Sequence, residues 1–419
     1  MTSNTECYVY IVLPGETEFV TAGRLELAVD RRSGEMVGRF VYGRSYLARE
    51  NAVPIDPIEL KLSRTTYETR QNNGLFSALR DAGPDFWGRR VIERHVRKAQ
   101  LGELDYLLDS PDDRAGALGF GLGREPPAPL RQFNRTVDLA KLQALADAIV
   151  ADEELPVDPD AAQAQELLLI GTSMGGARPK TVVEDEHGLW IAKFNLPDDR
   201  WNFARVEQAM LLLGRECGLS TSDSKIAAIG GRDVLLVKRF DRAKVEHGYR
   251  RARMLSALTL LGASESPLAR DRWSYVLLSE ELRRISSKPS TDAAELFRRM
   301  TFNALISNID DHPRNHAVIA MGDDWRLSPA YDLVPATPVS LERRDLALEC
   351  GDGGRYAQVE NLLSQCQRFL LEWPQAEAII KDMEYIVRHR WRAIARAQGV
   401  TDRDCERIAS AFVYPGFRF

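Results

Sequence analysis

Two strand pairs separated by a single amphipathic helix restrict the fold of this chain more than any other feature. Residues 180–194 alternate apolar and polar side chains around a polar turn at 185–188, which predicts a hairpin. In residues 203–217, Val206, Ala209, Met210 and Leu213 fall at i, i+3, i+4 and i+7. That is the stripe of an amphipathic helix, and Gly218 suits the position just beyond its end. A second pair, residues 225–229 and 234–240, turns at Gly230 and Gly231.

The flanks read differently. Residues 8–13 and 38–42 are short apolar strand-like runs, and residues 76–100 have helical spacing. The proline-dense stretch 124–135, with Pro126, Pro127 and Pro129, reads as a linker. Residues 137–152 read as a polar helix. Beyond Met254 the pattern turns helical, and Asp292 with Glu295 resembles a capping box opening a helix that runs to about residue 307. A polar loop, 308–316, precedes a short hairpin, 317–320 with 325–327. The remainder is helical, interrupted at Pro374 and Gly399. The expected domains are residues 1–125, 136–250 and 251–419.

Composition narrows the class. At 419 residues, 44% hydrophobic and 28% charged, with a mean hydropathy of -0.30, the chain reads as soluble, with room for two or three domains. No stretch is apolar enough to span a membrane, and the first residues lack a basic, apolar signal pattern, so a cytoplasmic location is expected. Five widely spaced cysteines fit neither a disulfide framework nor a zinc site. A net charge of -5 gives no global pull toward nucleic acid.

The residues able to carry chemistry fall in a fixed order. Residues 171–180 (GTSMGGARPK) form a glycine-rich loop whose amides can approach phosphate oxygens, although Ala177 and Arg178 exclude a P-loop. Lys193 is one of only ten lysines among 56 basic residues and lies in the second strand of the first hairpin. Pairing with phosphates and with Glu207 on the following helix would explain it. Asp310 and Asn315 stand five residues apart, the spacing of a kinase catalytic carboxylate and a magnesium-holding asparagine; Asp311 lacks that relation and is expected to point away, pairing with an arginine or capping the loop. Asp332, after the short hairpin, would be the second magnesium ligand. His312 and His316 at i+4 suggest zinc, but the proline between them disfavours it. Taken alone, each element also fits a surface turn, a snorkelling lysine or a solvated loop; the order is what restricts.

The segments SMGGARPK (173–180), VKRFDR (237–242), NIDDHPRN (308–315) and SPAYDL (328–333) resemble the HipA family of bacterial serine/threonine kinases, over about residues 165–340. The resemblance implies an α+β, protein-kinase-like bilobal fold, with a small β-rich N-lobe, a helical C-lobe and an added N-terminal β/α subdomain. It implies ATP and Mg²⁺ as cofactors. ATP would be bound by Ser173, Met174, Gly175, Gly176, Ala177, Lys193, Lys238, Phe240, Asp241 and His312, with Phe240 in the hinge strand and Asp241 near the ribose. Asp310 would be the catalytic base, Asn315 and Asp332 the metal ligands, Glu207 the ion-pair partner of Lys193, and Ser173 a site of self-inactivating autophosphorylation. Such kinases act as toxins in toxin-antitoxin pairs and are linked to persistence, with aminoacyl-tRNA synthetases among the protein substrates of some members. A HipB-like helix-turn-helix antitoxin would be the partner, and DNA would be met only through it. A non-catalytic partner-binding relative and a small-molecule kinase are the alternatives. Arg388, Arg392 and Arg396 line one helix face, which reads as a solvated surface before a phosphate-binding one.

Overall fold

The computed structural model describes residues 5–96, 100–130, 133–135, 139–153, 169, 178–266, 268, 270–337 and 340–418. It is a mixed α+β structure, as expected, in two units: Met1–Leu196 with Lys238–Leu255 and Ile319–Asp324, and Pro197–Val237 with Ser256–Val318 and Trp325–Phe419. Residues 238–255 and 319–324 belong to the first unit although they follow parts of the second in sequence.

The first unit opens with an antiparallel sheet of β1 (Glu6–Val12), β2 (Phe19–Val29), β3 (Met36–Tyr42), β4 (Tyr67–Thr69) and β5 (Leu118–Gly121), ordered β4-β3-β2-β1-β5. Val9 pairs with Gly23 and Tyr10 with Thr21, leaving Ala22 as the extra residue of a bulge. A side chain at Gly23 would meet the Val41 carbonyl at 2.4 Å, so the bulge needs glycine there. Within residues 76–96 the helical run is two helices, Ser77–Asp81 and Phe86–Val96, where one was expected; Gly83 and Pro84 break it. The expected first hairpin is present as β7 (Lys180–Asp185) and β8 (Gly188–Phe194), with β6 (Asn134–Arg135) parallel to β7. Lys180, buried, pairs with the half-buried Asp85 at 2.7 Å.

The same unit contains a buried charge cluster. Arg239 reaches Asp113 at 2.5 Å and Asp241 at 2.8 Å, and donates to the Arg114 carbonyl at 2.8 Å. Arg242 pairs with Asp241 at 2.7 Å and donates to the Gly116 carbonyl at 2.8 Å. The Gly116 N–H donates to Asp241 at 2.9 Å. Segment 112–116 thereby holds segment 239–242.

In the second unit, helix Phe203–Glu216 starts at Asn202, whose side chain accepts from the Arg205 N–H, matching the sequence reading to within a residue. Arg205 grips Asp233 through two bonds of 2.6 and 2.9 Å, fixing this helix on the strand pair Ser224–Ile229 and Arg232–Lys238. Gly230 and Gly231 adopt the positive φ angles that the turn requires. Helix Pro289–Ile306, with Leu296, Met300 and Ala304 buried, packs against Tyr275–Ile285 and Trp373–Ala397 to form the core. It begins three residues before the expected capping box, and Asp292 does not cap it. Its carboxylate instead accepts from Ser286 Oγ at 2.6 Å, the Leu327 N–H at 3.0 Å and Arg326 at 2.8 Å. Glu295 pairs with Arg299 at 3.0 Å.

All five cysteines are free and buried. Arg388, Arg392 and Arg396 pair with Glu384, Glu406 and Asp402, in keeping with a solvated, internally neutralised face. Among the described residues no helix is long and apolar enough to cross a membrane.

Candidate active site

Helix Pro289–Ile306 delivers the polar loop. Ser307 takes a left-handed conformation and the Asn308 N–H returns to the Asn303 carbonyl at 2.8 Å, so the chain turns sharply out of the helix. Asp310 is exposed and Asp311, its neighbour, is buried. The His312 N–H donates to the Asp310 carbonyl and the Asn315 N–H to the His312 carbonyl, both at 2.8 Å, closing the turn Pro313–Asn315. Asn315 Nδ2 donates to the Asp310 carbonyl at 3.3 Å.

Asp332 follows the hairpin Ala317–Ala320 and Arg326–Leu327, and its segment is tied down at several points. Arg299 donates to the Ser328 carbonyl at 2.5 Å. Ala330 exchanges backbone bonds with Ser220 and Ser222, at 2.7 and 2.9 Å. Tyr331 donates to the Arg314 carbonyl at 2.8 Å, and Asn308 Nδ2 to the Asp332 carbonyl at 3.4 Å. Asp332 itself has φ of 60°, a left-handed conformation that costs a non-glycine residue energy and is found at sites whose surroundings enforce it. Desolvation pushes the Asp310 carboxyl above the ordinary aspartate value; His312 and Arg270 oppose the rise, and the carboxylates of Asp332 and Asp311 add to it. Asp310, Asn315 and Asp332 are thus brought together within the second unit.

Asp311 corrects one expectation. It does point away from Asp310, but its partners are the Tyr275 hydroxyl and His316 Nε2, the latter at 2.7 Å, and among the described residues no arginine. With His316 engaged in that way, the spacing of His312 and His316 has an explanation without zinc. Oxygen donors from Asn315 and Asp332 fit a hard cation such as magnesium, which keeps water and phosphate oxygens as its other ligands. Among the described residues no group of three or more His, Cys, Asp or Glu side chains could hold a metal unaided.

The other expected residues, His312 apart, belong to other segments of the chain. Lys193 sits on β8 in the first unit, opposite Lys180 in the register, and Glu207 is buried on helix Phe203–Glu216 in the second. Lys238 lies 6.0 Å from the Trp190 ring centre, and Phe240 is half-buried beyond it. Asp241, expected beside a ribose, is buried with its carboxylate committed to Arg239, Arg242 and the Gly116 N–H. Ser173, Met174, Gly175, Gly176 and Ala177 lie outside the described residues. Sequence reading missed Tyr275, which lies far from the motifs, Asn303, which precedes the polar loop by five residues, and the pairing of Asp311 with His316. Their separation repeats the five-residue step of Asp310 and Asn315, a signal present in the sequence.

Comparison with known proteins places this geometry in a family. A model of the HipA-like C-terminal domain matches residues 172–391, and one of the HipA N-terminal domain matches residues 20–121. A Sinorhizobium fredii protein named "Putative kinase Y4mE" is 24% identical over 318 residues, covering 70% of this chain and 71% of its own. A Haemophilus influenzae protein, also named as a kinase of that kind, is 25% identical over 189 residues, 40% of this chain and 54% of its own. Among solved structures, HipA of Shewanella oneidensis MR-1, from its complex with HipB and operator DNA, matches with a TM-score of 0.68 at 15% identity, over 96% of this chain and 94% of that one. That likeness establishes a shared fold. With the C-terminal model alone spanning more than half of its residues, the chain belongs to the HipA-like family.

Proposed function

We propose that the protein is an ATP-dependent serine/threonine protein kinase of the HipA type, the toxin of a toxin-antitoxin pair. One observation carries this reading: an exposed carboxylate, Asp310, shares a short hydrogen-bonded loop with Asn315, and Asn308 at the head of the same loop donates to the Asp332 carbonyl at 3.4 Å. In phosphoryl transfer the protein positions groups and stabilises charge. Asp310 would orient the acceptor hydroxyl and take its proton, a role favoured by a carboxyl held above its ordinary range. Asn315 and Asp332 would hold Mg²⁺, which when bound neutralises charge on the phosphates. Lys193, backed by Glu207, would engage the ATP phosphates, and Lys238, Phe240 and His312 would border the nucleotide. Asp241, given its buried partners, would support the hinge strand and not touch ribose. Ser173 would be phosphorylated by the chain itself, adding roughly -1.5 to -2 charges to a loop that should cradle phosphate. Kinship with a HipA solved beside HipB and operator DNA supports a HipB-like antitoxin as partner, with DNA met through it. An aminoacyl-tRNA synthetase is the first substrate to try.

Incubation with γ-labelled ATP and Mg²⁺, followed by mass-spectrometric site mapping, tests the reading. Label should appear on Ser173, and Asp310→Asn should cut transfer by on the order of 10² to 10⁴ while ATP still binds. Equal phosphate on Ser173 in both proteins would assign the reaction to another kinase.

A further inference from the structure

Asp311 and His316 each stand one residue beyond Asp310 and Asn315. The loop therefore carries two pairs with the same spacing, one presenting chemistry and one turned inward. The inward pair is in contact: His316 Nε2 lies 2.7 Å from Asp311 Oδ2, and both side chains are almost fully buried. The Tyr275 hydroxyl, from helix Tyr275–Ile285, donates to the same oxygen and accepts from Asn303 Nδ2 at 3.2 Å. The Tyr275 ring meets the imidazole edge-on, with centres 5.6 Å apart. His316 Nδ1 has no hydrogen-bond partner among the described residues, so Nε2 is the imidazole's anchor. Behind it, the His316 carbonyl accepts from the Ala257 N–H at 2.8 Å.

We infer that Tyr275, Asp311 and His316 form a staple that closes the loop across its base and so sets the separation of Asp310 from Asn315. They are positioning residues of the transfer centre, and the inference rests on Asp310 being the acceptor-facing carboxylate. The loop above the staple is held by only a few bonds of its own, whereas productive geometry demands tolerances of about 0.5 Å. Hydrogen bonds to an ionised carboxylate are stronger than neutral ones, and burial strengthens them further. One Asp311 oxygen gathers a donor from a neighbouring helix and one from the far end of the loop, joining core to loop at a single atom.

The test is self-labelling from γ-labelled ATP in Asp311→Asn, Tyr275→Phe and the double variant, recording maximal rate, half-saturating ATP, half-saturating Mg²⁺ and thermal melting. A staple predicts a maximal rate lowered on the order of 10- to 100-fold at temperatures where the variants are folded, as for outer partners of metal ligands. Half-saturating Mg²⁺ should rise and half-saturating ATP stay within about two-fold, because no ATP contact is removed. The double variant should be no slower than Asp311→Asn, since both changes act through one oxygen. A folded Asp311→Asn with parental rate and Mg²⁺ dependence, or rate losses that only follow the unfolded fraction, would overturn the staple. If Asp311→Asn does not fold, Tyr275→Phe decides alone by the same criteria. Parental transfer in Asp310→Asn would instead overturn the catalytic reading, a separate outcome.

Discussion

Asp310 and Asp311 show how far apart two adjacent, identical side chains can be taken by their surroundings. One is exposed on the loop and the other is buried against Tyr275 and His316. Their difference was legible in the sequence only through spacing: the five-residue step to Asn315 singled out Asp310, but nothing local announced Tyr275, 36 residues away from Asp311. Long-range partners of that sort are fixed by helix packing, which a single sequence does not disclose. Lysine scarcity was likewise enough to single out Lys193 but not to place its charge. Replacing it with alanine should weaken ATP binding by at least an order of magnitude and leave the circular dichroism spectrum unchanged, because a half-buried strand lysine contributes little to stability. Nucleotide titration of the folded variant, if it matched the parent, would remove Lys193 from the site.

Elements with an unbroken period were read correctly and those with local interruptions were not. The β7–β8 hairpin and helix Phe203–Glu216 keep their alternation and stripe throughout, so their limits agree with expectation to within a residue or two. Strand β2 went unread because the bulge at Ala22 breaks its alternation where Thr21, Ala22 and Gly23 follow one another. The start of helix Pro289–Ile306 was misplaced because Asp292 has the right chemistry for a cap but a stronger set of partners in Ser286, Arg326 and Leu327. Burial alone would raise the Asp292 carboxyl, but these partners hold it below the ordinary aspartate value. Its ionised form therefore stabilises the fold fully above the unfolded value of about 3.9, and that stability is lost as pH falls through the lower folded value. Asp292→Asn should cost about 2 kcal/mol at neutral pH and flatten the acid limb of stability. Urea melts between neutral pH and about pH 2.5 would show it; an acid limb as steep as the parent's would assign that limb to other carboxylates.

At the scale of the molecule, the family's N-terminal and C-terminal portions share a buried charge cluster. Residues 112–116 supply Asp113 and three backbone groups to Arg239, Asp241 and Arg242, so the segment expected to serve as hinge is built partly from the N-terminal portion. Removing one side of a buried ion pair costs about 3 to 5 kcal/mol, against a typical total stability of about 5 to 15 kcal/mol. A chain beginning at residue 126 should therefore be insoluble or lack a cooperative melt, although it contains every proposed catalytic residue. Far-ultraviolet circular dichroism with thermal scanning decides; a truncated chain melting like the parent would make the buried cluster dispensable.

The five buried thiols give the two units separate reporters. Burial raises the thiols of Cys7 and Cys217 to about 12 and drives those of Cys350, Cys366 and Cys405 up as well, which disfavours the reactive thiolate in the folded chain. Alkylation can then proceed only through opening. Cys7 belongs to the first unit and the other four to the second. Timed alkylation in graded urea, read by peptide mass, should leave all five unmodified without denaturant and then register the opening of each unit by its own cysteines. Simultaneous modification of Cys7 and Cys350 at every urea concentration would mean that the units unfold as one, and rapid modification without urea would contradict their burial.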